Sequence, residues 1–223
     1  SEYWKQIIKA CYLNKKDSVT EWKRVTKEIQ IIATKLDKLK IESVRVQGED
    51  ADLTIHVGKD RKWLCGRGAN IPSFEIFTSP DWRATNGWIN LNMPLYRYGG
   101  LIEGIKLEFK NGLVTKASAT KNEKLLLQMI KTKNANKIGE FSLTDKRHSK
   151  ISTFMAETLY DENYGGKYGN THIALGSAYK DAYAGNVAKT TDKQWEELGF
   201  NESVVHTDVI STTNRTVTAT LPD

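Results

Sequence analysis

The chain has 223 residues, of which 39% are hydrophobic and 27% charged, a composition typical of a globular protein with enough length to bury a sizeable core. Its formal net charge of +6 is a weak argument for a nucleic-acid partner, because the lysines of the first 40 residues alternate with acids as they do on a solvated helix face. No apolar run approaches the roughly 18 residues of a membrane helix, and the first ten residues do not resemble a signal peptide, so we expect no membrane partner.

Helices are predicted at the start of the chain. Apolar residues recur at helical spacing over residues 3–13 and again over 17–39, where Ser18 and Glu21 have the spacing of a capping box. The second segment predicts the longest helix. The first begins without a capping sequence, which indicates a chain that starts inside a larger structure.

Strands dominate the rest of the chain. Alternating or β-branched runs predict strands over residues 43–47, 51–57, 62–65, 138–143, 203–210 and 215–221. The pair Asn111-Gly112 predicts a hairpin between 102–110 and 113–119, and helical spacing returns over 121–130 and 151–159. Because consecutive strands are linked too tightly for helical crossovers, the fold class is α+β, with a mixed, largely antiparallel sheet, flanking helices and one long N-terminal helix.

A histidine and an aspartate interrupt an apolar strand near the end of the chain. His206 and Asp208 are two residues apart, so both side chains project from the same face of a strand and can meet one metal ion. A hydrogen-bonded pair at an exposed strand end explains the same spacing equally well. This motif alone leaves both alternatives open.

A glycine-rich loop joins a second group of polar residues. Glu162 precedes the loop and His172 follows it, so the loop can bring a carboxylate and an imidazole to one point. Tyr179 lies seven residues after His172, on the same face if the segment is helical; if the segment is extended, Gly176 must bend it. A solvated turn acid and a packed tyrosine are the simpler explanations of Glu162 and Tyr179.

Two further acids stand among apolar neighbours. Glu75 and Glu140 either face water or meet a cation, since an unpaired carboxylate on a buried strand is unfavourable. Together with the histidines and Asp208 they provide two imidazoles and several carboxylates, the usual ligands of a pair of divalent metals.

The order of these motifs resembles the thermophilic aminopeptidase family of metallopeptidases. The similarity extends from the long helix onward and is carried by five segments: Asn70-Ile-Pro-Ser-Phe-Glu75-Ile-Phe-Thr-Ser-Pro80, Gly139-Glu140, Thr158-Leu-Tyr-Asp161-Glu162-Asn163, His172-Ile-Ala-Leu-Gly176-Ser-Ala-Tyr179 and His206-Thr-Asp208. The link between Asn163 and His172 is longer than in the common pattern of the family, which affects the placement of Glu162 most.

The resemblance implies a peptidase that removes N-terminal residues with two divalent ions, of zinc, cobalt, manganese or magnesium. It implies metal ligation by Glu75, Glu140, Glu162, His172, His206 and Asp208, and catalytic roles for Glu140, Glu162 and Tyr179. It further implies peptide substrates with a free N-terminus and a homodimer of the full-length protein.

The same resemblance predicts how the chain is organised. Residues 1–40 form a helical segment that joins a missing N-terminal domain, and residues 41–223 form the metal-binding catalytic domain, with a truncated C-terminal end. Because Cys11 and Cys65 suggest neither a disulfide framework nor a zinc site, a reducing cytoplasm is expected. The main alternative is a metal-binding domain that is catalytically inactive and acts as a binding or assembly module.

Overall fold

The computed structural model describes residues 1–66 and 70–222, and it confirms the α+β class. Five helices are present in this part of the chain: α1 (Glu2–Ala10), α2 (Ser18–Leu39), α3 (Glu123–Ile130), α4 (Thr158–Asp161) and α5 (Asp192–Glu197). Among these helices, none is both long and apolar enough to span a lipid bilayer.

The strands form three sheets in which every described pair is antiparallel. The six-stranded sheet has the order β13-β1-β2-β5-β8-β9, from β1 (Ser43–Gly48), β2 (Ala51–His56), β5 (Asn86–Leu91), β8 (Ile105–Lys110), β9 (Leu113–Ser118) and β13 (Thr216–Thr220). The five-stranded sheet has the order β12-β11-β10-β4-β3, from β3 (Leu64–Cys65), β4 (Glu75–Thr78), β10 (Ile138–Thr144), β11 (Asn170–Gly176) and β12 (His206–Ser211). A small hairpin pairs β6 (Leu95–Arg97) with β7 (Gly100–Ile102).

One hydrophobic core is shared by the long helix and both large sheets. The helix α2 buries Val25, Ile29 and Ala33 at helical spacing, as its sequence predicts. The six-stranded sheet contributes Leu53 and Ile89 among others, and the five-stranded sheet contributes buried residues of the same cluster: Ile76, Phe141, Ile173, Leu175 and Val209. This common core holds the five-stranded sheet rigidly from one side.

The local signals of the sequence are mostly confirmed, with two corrections. The hairpin turn at Asn111-Gly112 has positive φ at both residues, 49° and 79°, as a tight β-turn of this kind requires. The cap of α2 is Asp17, whose side chain accepts a hydrogen bond from the Thr20 backbone N–H at 3.0 Å, and not the predicted Ser18–Glu21 pair.

The prediction of a helix over residues 151–159 is wrong. This segment is a loop, and only α4 at its end is helical. Asp161 accepts hydrogen bonds from the backbone N–H groups of Met155 and Glu157, at 2.7 and 3.1 Å, and Ala156 has a φ of 55°. A side chain therefore satisfies the backbone donors that helical hydrogen bonds would have used, and the left-handed residue prevents a continuous helix.

Candidate metal centre

Four adjacent strands of the five-stranded sheet bring the predicted metal ligands together. His206 and Asp208 lie on β12, His172 on β11, Glu140 on β10 and Glu75 on β4. Directly paired residues of antiparallel strands share a face, and the pairs Glu140 with Ala174, Ala174 with Asp208, and Thr144 with Glu75 follow this rule. The five side chains therefore project from one face, and the opposite face packs against the core.

A β-bulge at Gly139 sets the position of Glu140. The pairing of β10 with β11 shifts between Ile138 and Glu140, so that one extra residue is inserted in β10. Bulges redirect a side chain and are frequent beside functional sites. Gly139 is required here because a Cβ at this position would stand 2.3 Å from the carbonyl oxygen of Ser177, which is far closer than any real contact.

The buried imidazole of His172 lies at the centre of the cluster. Its Nε2 atom is 3.2 Å from a carboxylate oxygen of Glu140, 3.4 Å from one of Glu75 and 3.9 Å from one of Asp208. On the other side of the ring, Nδ1 is 3.3 Å from Oδ1 of Asn170. The Asn170 amide nitrogen donates to the backbone oxygens of Glu162 and Tyr164, which orients Oδ1 towards His172 as the acceptor. Nδ1 is therefore the donor, and Nε2 faces the acids.

His206 is oriented in the same way. Its Nδ1 donates to the backbone carbonyl of Ser177 at 2.7 Å, and Nε2 lies 3.4 Å from Asp208 and 3.8 Å from Glu140. The ring of Tyr179 packs beside it, with 4.8 Å between the ring centroids. Gly176, with a φ of 105°, ends β11 and turns the chain towards Tyr179, as the extended alternative of the sequence analysis required.

Glu162 approaches the cluster from outside the sheet. It follows α4, is 7% exposed, and accepts a hydrogen bond from the Asn163 side-chain amide at 3.2 Å. The pKa of Glu162 is raised to about 9 by burial, and the charges of Glu75 and Asp208 act in the same direction. Glu162 also lines the same cleft as Glu75, Glu140 and Asp208.

We refer to Glu75, Glu140, Glu162, His172, His206 and Asp208 as the acid–imidazole cluster. Burial raises the pKa of Glu140 to about 7, with the charges of Glu75 and Asp208 adding to the effect. Burial lowers the pKa of His206, but Asp208 and Glu140 outweigh it and raise the value to about 9. The pKa of Asp208 is lowered in spite of its burial, because both histidines stabilise its charge. Acids and imidazoles thus compete for protons at one buried point.

The donor chemistry of the acid–imidazole cluster fits divalent cations. It contains four carboxylates against two imidazoles, and no lysine or arginine of the described chain comes within ion-pairing distance of these carboxylates. With both histidines charged and all four carboxylates ionised, two negative charges would be uncompensated, which is unfavourable in a buried site unless cations bind. The raised pKa values of Glu140 and Glu162 reflect this excess of acids. Ligand atoms of Glu75, Glu140 and His172 all lie within 4.8 Å of one another, as a shared ion requires.

An open cleft of about 550 Å³ leads to the acid–imidazole cluster. Apolar and aromatic side chains line it beside the acids, among them Leu64, Phe77, Leu159 and Tyr179. Tyr179 is 48% exposed and stands at the mouth, where the pKa of its hydroxyl is raised by burial and by the nearby Glu140 and Asp208 charges. The phenol therefore stays a neutral hydrogen-bond donor at the entrance.

All seven site residues predicted from the sequence lie in or beside this cleft. The sequence analysis did not identify the polar residues that support them, namely Ser142, Asn163 and Asn170. Ser142 donates from its hydroxyl to Glu75 at 3.0 Å. Only the fold brings Ser142 close to Glu75 and Asn163 close to Phe74, so no local spacing marks these two contacts. Asn170 lies two residues before His172 on the same strand, and this spacing is a signal that could have identified it.

A buried set of imidazole and carboxylate ligands on an α+β fold is characteristic of a divalent-metal protein. The comparison with known proteins agrees: residues 1–223 match the family described as thermophilic metalloprotease (M29), and the chain belongs to that family. The chain is 30% identical over 224 residues to aminopeptidase PepS of Streptococcus thermophilus, a match that covers 95% of this chain and 53% of the relative. It is 27% identical over 217 residues to aminopeptidase T of Thermus aquaticus, with 92% and 51% covered.

Solved structures share the fold. The structure of wild-type AmpT from Thermus thermophilus superposes with a TM-score of 0.81 at 24% identity, over 97% of this chain and 53% of that one. A 2,5-dihydroxypyridine dioxygenase from Pseudomonas putida KT2440 gives a TM-score of 0.55 at 15% identity, over 86% and 55%. At these identities the likeness concerns the fold alone. The chain spans about half the length of the curated relatives that it matches.

Proposed function

We propose that this chain forms the metal centre of an aminopeptidase, which hydrolyses the N-terminal peptide bond of peptides. The observation that carries the proposal is the acid–imidazole cluster, in which four buried carboxylates outnumber two imidazoles and form no ion pair with a lysine or arginine of the described chain. Membership of a metalloprotease family and relatives named aminopeptidases support this chemistry.

In this proposal the six residues of the acid–imidazole cluster hold two divalent ions, of zinc, cobalt, manganese or magnesium. Such ions, when bound, lower the pKa of water and polarise a substrate carbonyl. The two histidines present Nε2, since their Nδ1 atoms are engaged by Asn170 and Ser177. The carboxylates supply the oxygen ligands that all four of these metals accept.

The protein's own groups handle the protons. Glu140 lines the cleft beside the other acids, where its carboxylate can accept a proton and return it to the leaving amine nitrogen. Glu162 is the other acid able to do so. Tyr179 retains its phenolic proton and can donate a hydrogen bond to the oxygen on which negative charge develops.

The substrate class is supported by the relatives, which are named aminopeptidases. The free N-terminus of a peptide would lie beside one of the ions or a carboxylate of the acid–imidazole cluster, which would confine cleavage to chain ends. We propose no nucleic-acid partner, because the lysines of the first 40 residues alternate with acids. A cytoplasmic homodimer is the assembly we propose for the full-length protein; it is supported by the sequence resemblance and, for the cytoplasm, by two cysteines, Cys11 and Cys65, whose spacing suggests no disulfide framework.

The proposal is tested with an aminoacyl-anilide substrate and the protein loaded with zinc or cobalt. We expect release of the anilide only when the substrate amine is free, and loss of turnover in Asp208→Ala and after chelation. Asp52→Ala is the matched control, because Asp52 lies on the other large sheet and pairs with Arg45. Metal binding without turnover would support the alternative of a catalytically inactive binding module. Unchanged turnover in Asp208→Ala would refute the site.

A further inference from the structure

Asn163 links two arms of the cleft that are far apart in sequence. Its Oδ1 accepts the backbone N–H of Phe74 at 2.6 Å, and its Nδ2 donates to the Leu159 carbonyl at 3.0 Å and to the Glu162 carboxylate at 3.2 Å. The residue is fully buried. One amide group thus holds the residue before Glu75 and the side chain of Glu162 at the same time.

The two arms differ in how they are held. Glu75 begins β4 and accepts a hydrogen bond from the Ser142 hydroxyl, and the N–H of Phe74 just before this strand donates to Asn163. Glu162 follows a helix of four residues that lacks a side-chain cap. Among the described residues, Asn163 is the one hydrogen-bond donor to the Glu162 carboxylate. A short helix holds its ends only through such outside contacts.

We infer that Asn163 is a positioning residue of the metal centre, whose amide sets the separation of the Glu75 and Glu162 carboxylates. The inference rests on the proposed function, since it concerns the same site. Outer hydrogen bonds to metal ligands hold them in geometry, and their loss lowers metal affinity by roughly 10- to 100-fold. Asn163 contributes no ligand atom of its own, because both ends of its amide are occupied.

The test compares Asn163→Leu with Asn201→Leu by titration with zinc. Leucine keeps the branched shape of asparagine and removes the polar atoms. Asn201 is a matched control, because it is 4% exposed and its amide donates to the backbone carbonyls of Asn134 and Gly176 without contacting a residue of the acid–imidazole cluster. We expect zinc affinity to fall roughly 10- to 100-fold in Asn163→Leu and less than about threefold in Asn201→Leu.

Equal zinc affinity in Asn163→Leu and the unaltered protein overturns the inference, and so does an equal loss in both variants, which would indicate general destabilisation. A wild-type chain that binds no metal would refute the proposed function and the inference with it. This result differs from the previous two outcomes, in which the wild-type protein binds zinc.

If Asn163→Leu does not fold, the wild-type protein provides a second measurement. The side-chain amide signals of Asn163 and Asn201 are followed by nuclear magnetic resonance during the zinc titration. We expect the Asn163 signal to shift in step with metal binding, because its N–H contacts a ligand carboxylate, and the Asn201 signal to stay in place. An unmoved Asn163 signal overturns the inference.

Discussion

Replacing Gly139 by alanine tests how closely the acid–imidazole cluster depends on the bulge in β10. A Cβ at this position would lie 2.3 Å from the Ser177 carbonyl oxygen and 2.5 Å from that of Gly176. Both contacts are with backbone atoms, so no side-chain rotation can relieve them. The strands must separate by about 0.7 Å to restore even 3.0 Å, below which such contacts essentially never occur.

The displacement affects two ligands at once. Glu140 follows Gly139 directly, and the Ser177 carbonyl that must move is the acceptor for His206 Nδ1. Functional sites tolerate shifts of roughly 0.5 Å, and a misplacement of about 1 Å lowers activity by around 100-fold. Overpacking of this kind also lowers the free energy of unfolding by about 1–3 kcal/mol. We therefore expect a loss of metal affinity and turnover that exceeds the loss of stability.

Zinc titration, anilide hydrolysis and urea unfolding measure the three quantities. Gly99→Ala is the control: its Cβ would meet nothing within 4 Å, although Gly99 has a φ of 74°, so it should lower stability by about 1 kcal/mol and leave the site unchanged. Wild-type zinc affinity in Gly139→Ala would refute the claim that the bulge positions Glu140.

Three further predictions follow from the structure. Asn170→Ala should release the His172 ring and weaken zinc binding by roughly 10- to 100-fold, measured by competition with a chelating dye; unchanged affinity would show that Asn170 does not orient the ring. Zinc at 100 times its dissociation constant should raise the free energy of unfolding by about 2.7 kcal/mol for each ion bound, and a thermal-melting midpoint that is insensitive to zinc would contradict the site. Burial raises the pKa of Tyr12 from 10.0 to about 12, so its contribution to stability is complete below pH 10 and is lost as the pH rises towards 12. Between pH 8 and pH 11.5 the free energy of unfolding should therefore fall by about 2 kcal/mol more in the wild-type protein than in Tyr12→Phe, which lacks the titrating hydroxyl. Unfolding curves at the two pH values measure this difference.

Elements with strong local signals could be predicted from the sequence. The apolar spacing of α2 and the Asn111-Gly112 turn specify their structures without distant partners, and both are confirmed. The strands β4 and β11 were harder to recognise. Both faces of these strands are covered, one by the core and one by the site. Polar residues such as Asn170 and His172 are therefore buried, and the sequence lacks the regular alternation of apolar and solvent-facing residues that identifies a half-buried strand.

The candidate site also combines features that local sequence predicts with features that depend on the fold. His206 and Asp208 share a face because strand geometry alone requires it. The meeting of Glu75, Glu140 and His172 depends on the order of three strands, which spacing in the sequence does not determine. Only the resemblance to a family predicts it. Asn163 stands in the Asp161-Glu162-Asn163 motif, but its supporting role leaves no local pattern, because its hydrogen bond joins residues 74 and 163.

The central claim is that the acid–imidazole cluster holds two divalent ions, and metal content tests it most directly. Elemental analysis after loading with zinc and extensive dialysis should find about two ions per chain. The double variant His206→Ala/Asp208→Ala should lose zinc, whereas the double variant His56→Ala/Asp52→Ala on the other large sheet should retain it. A wild-type chain without zinc, or a His206→Ala/Asp208→Ala variant with the wild-type content, would contradict the account.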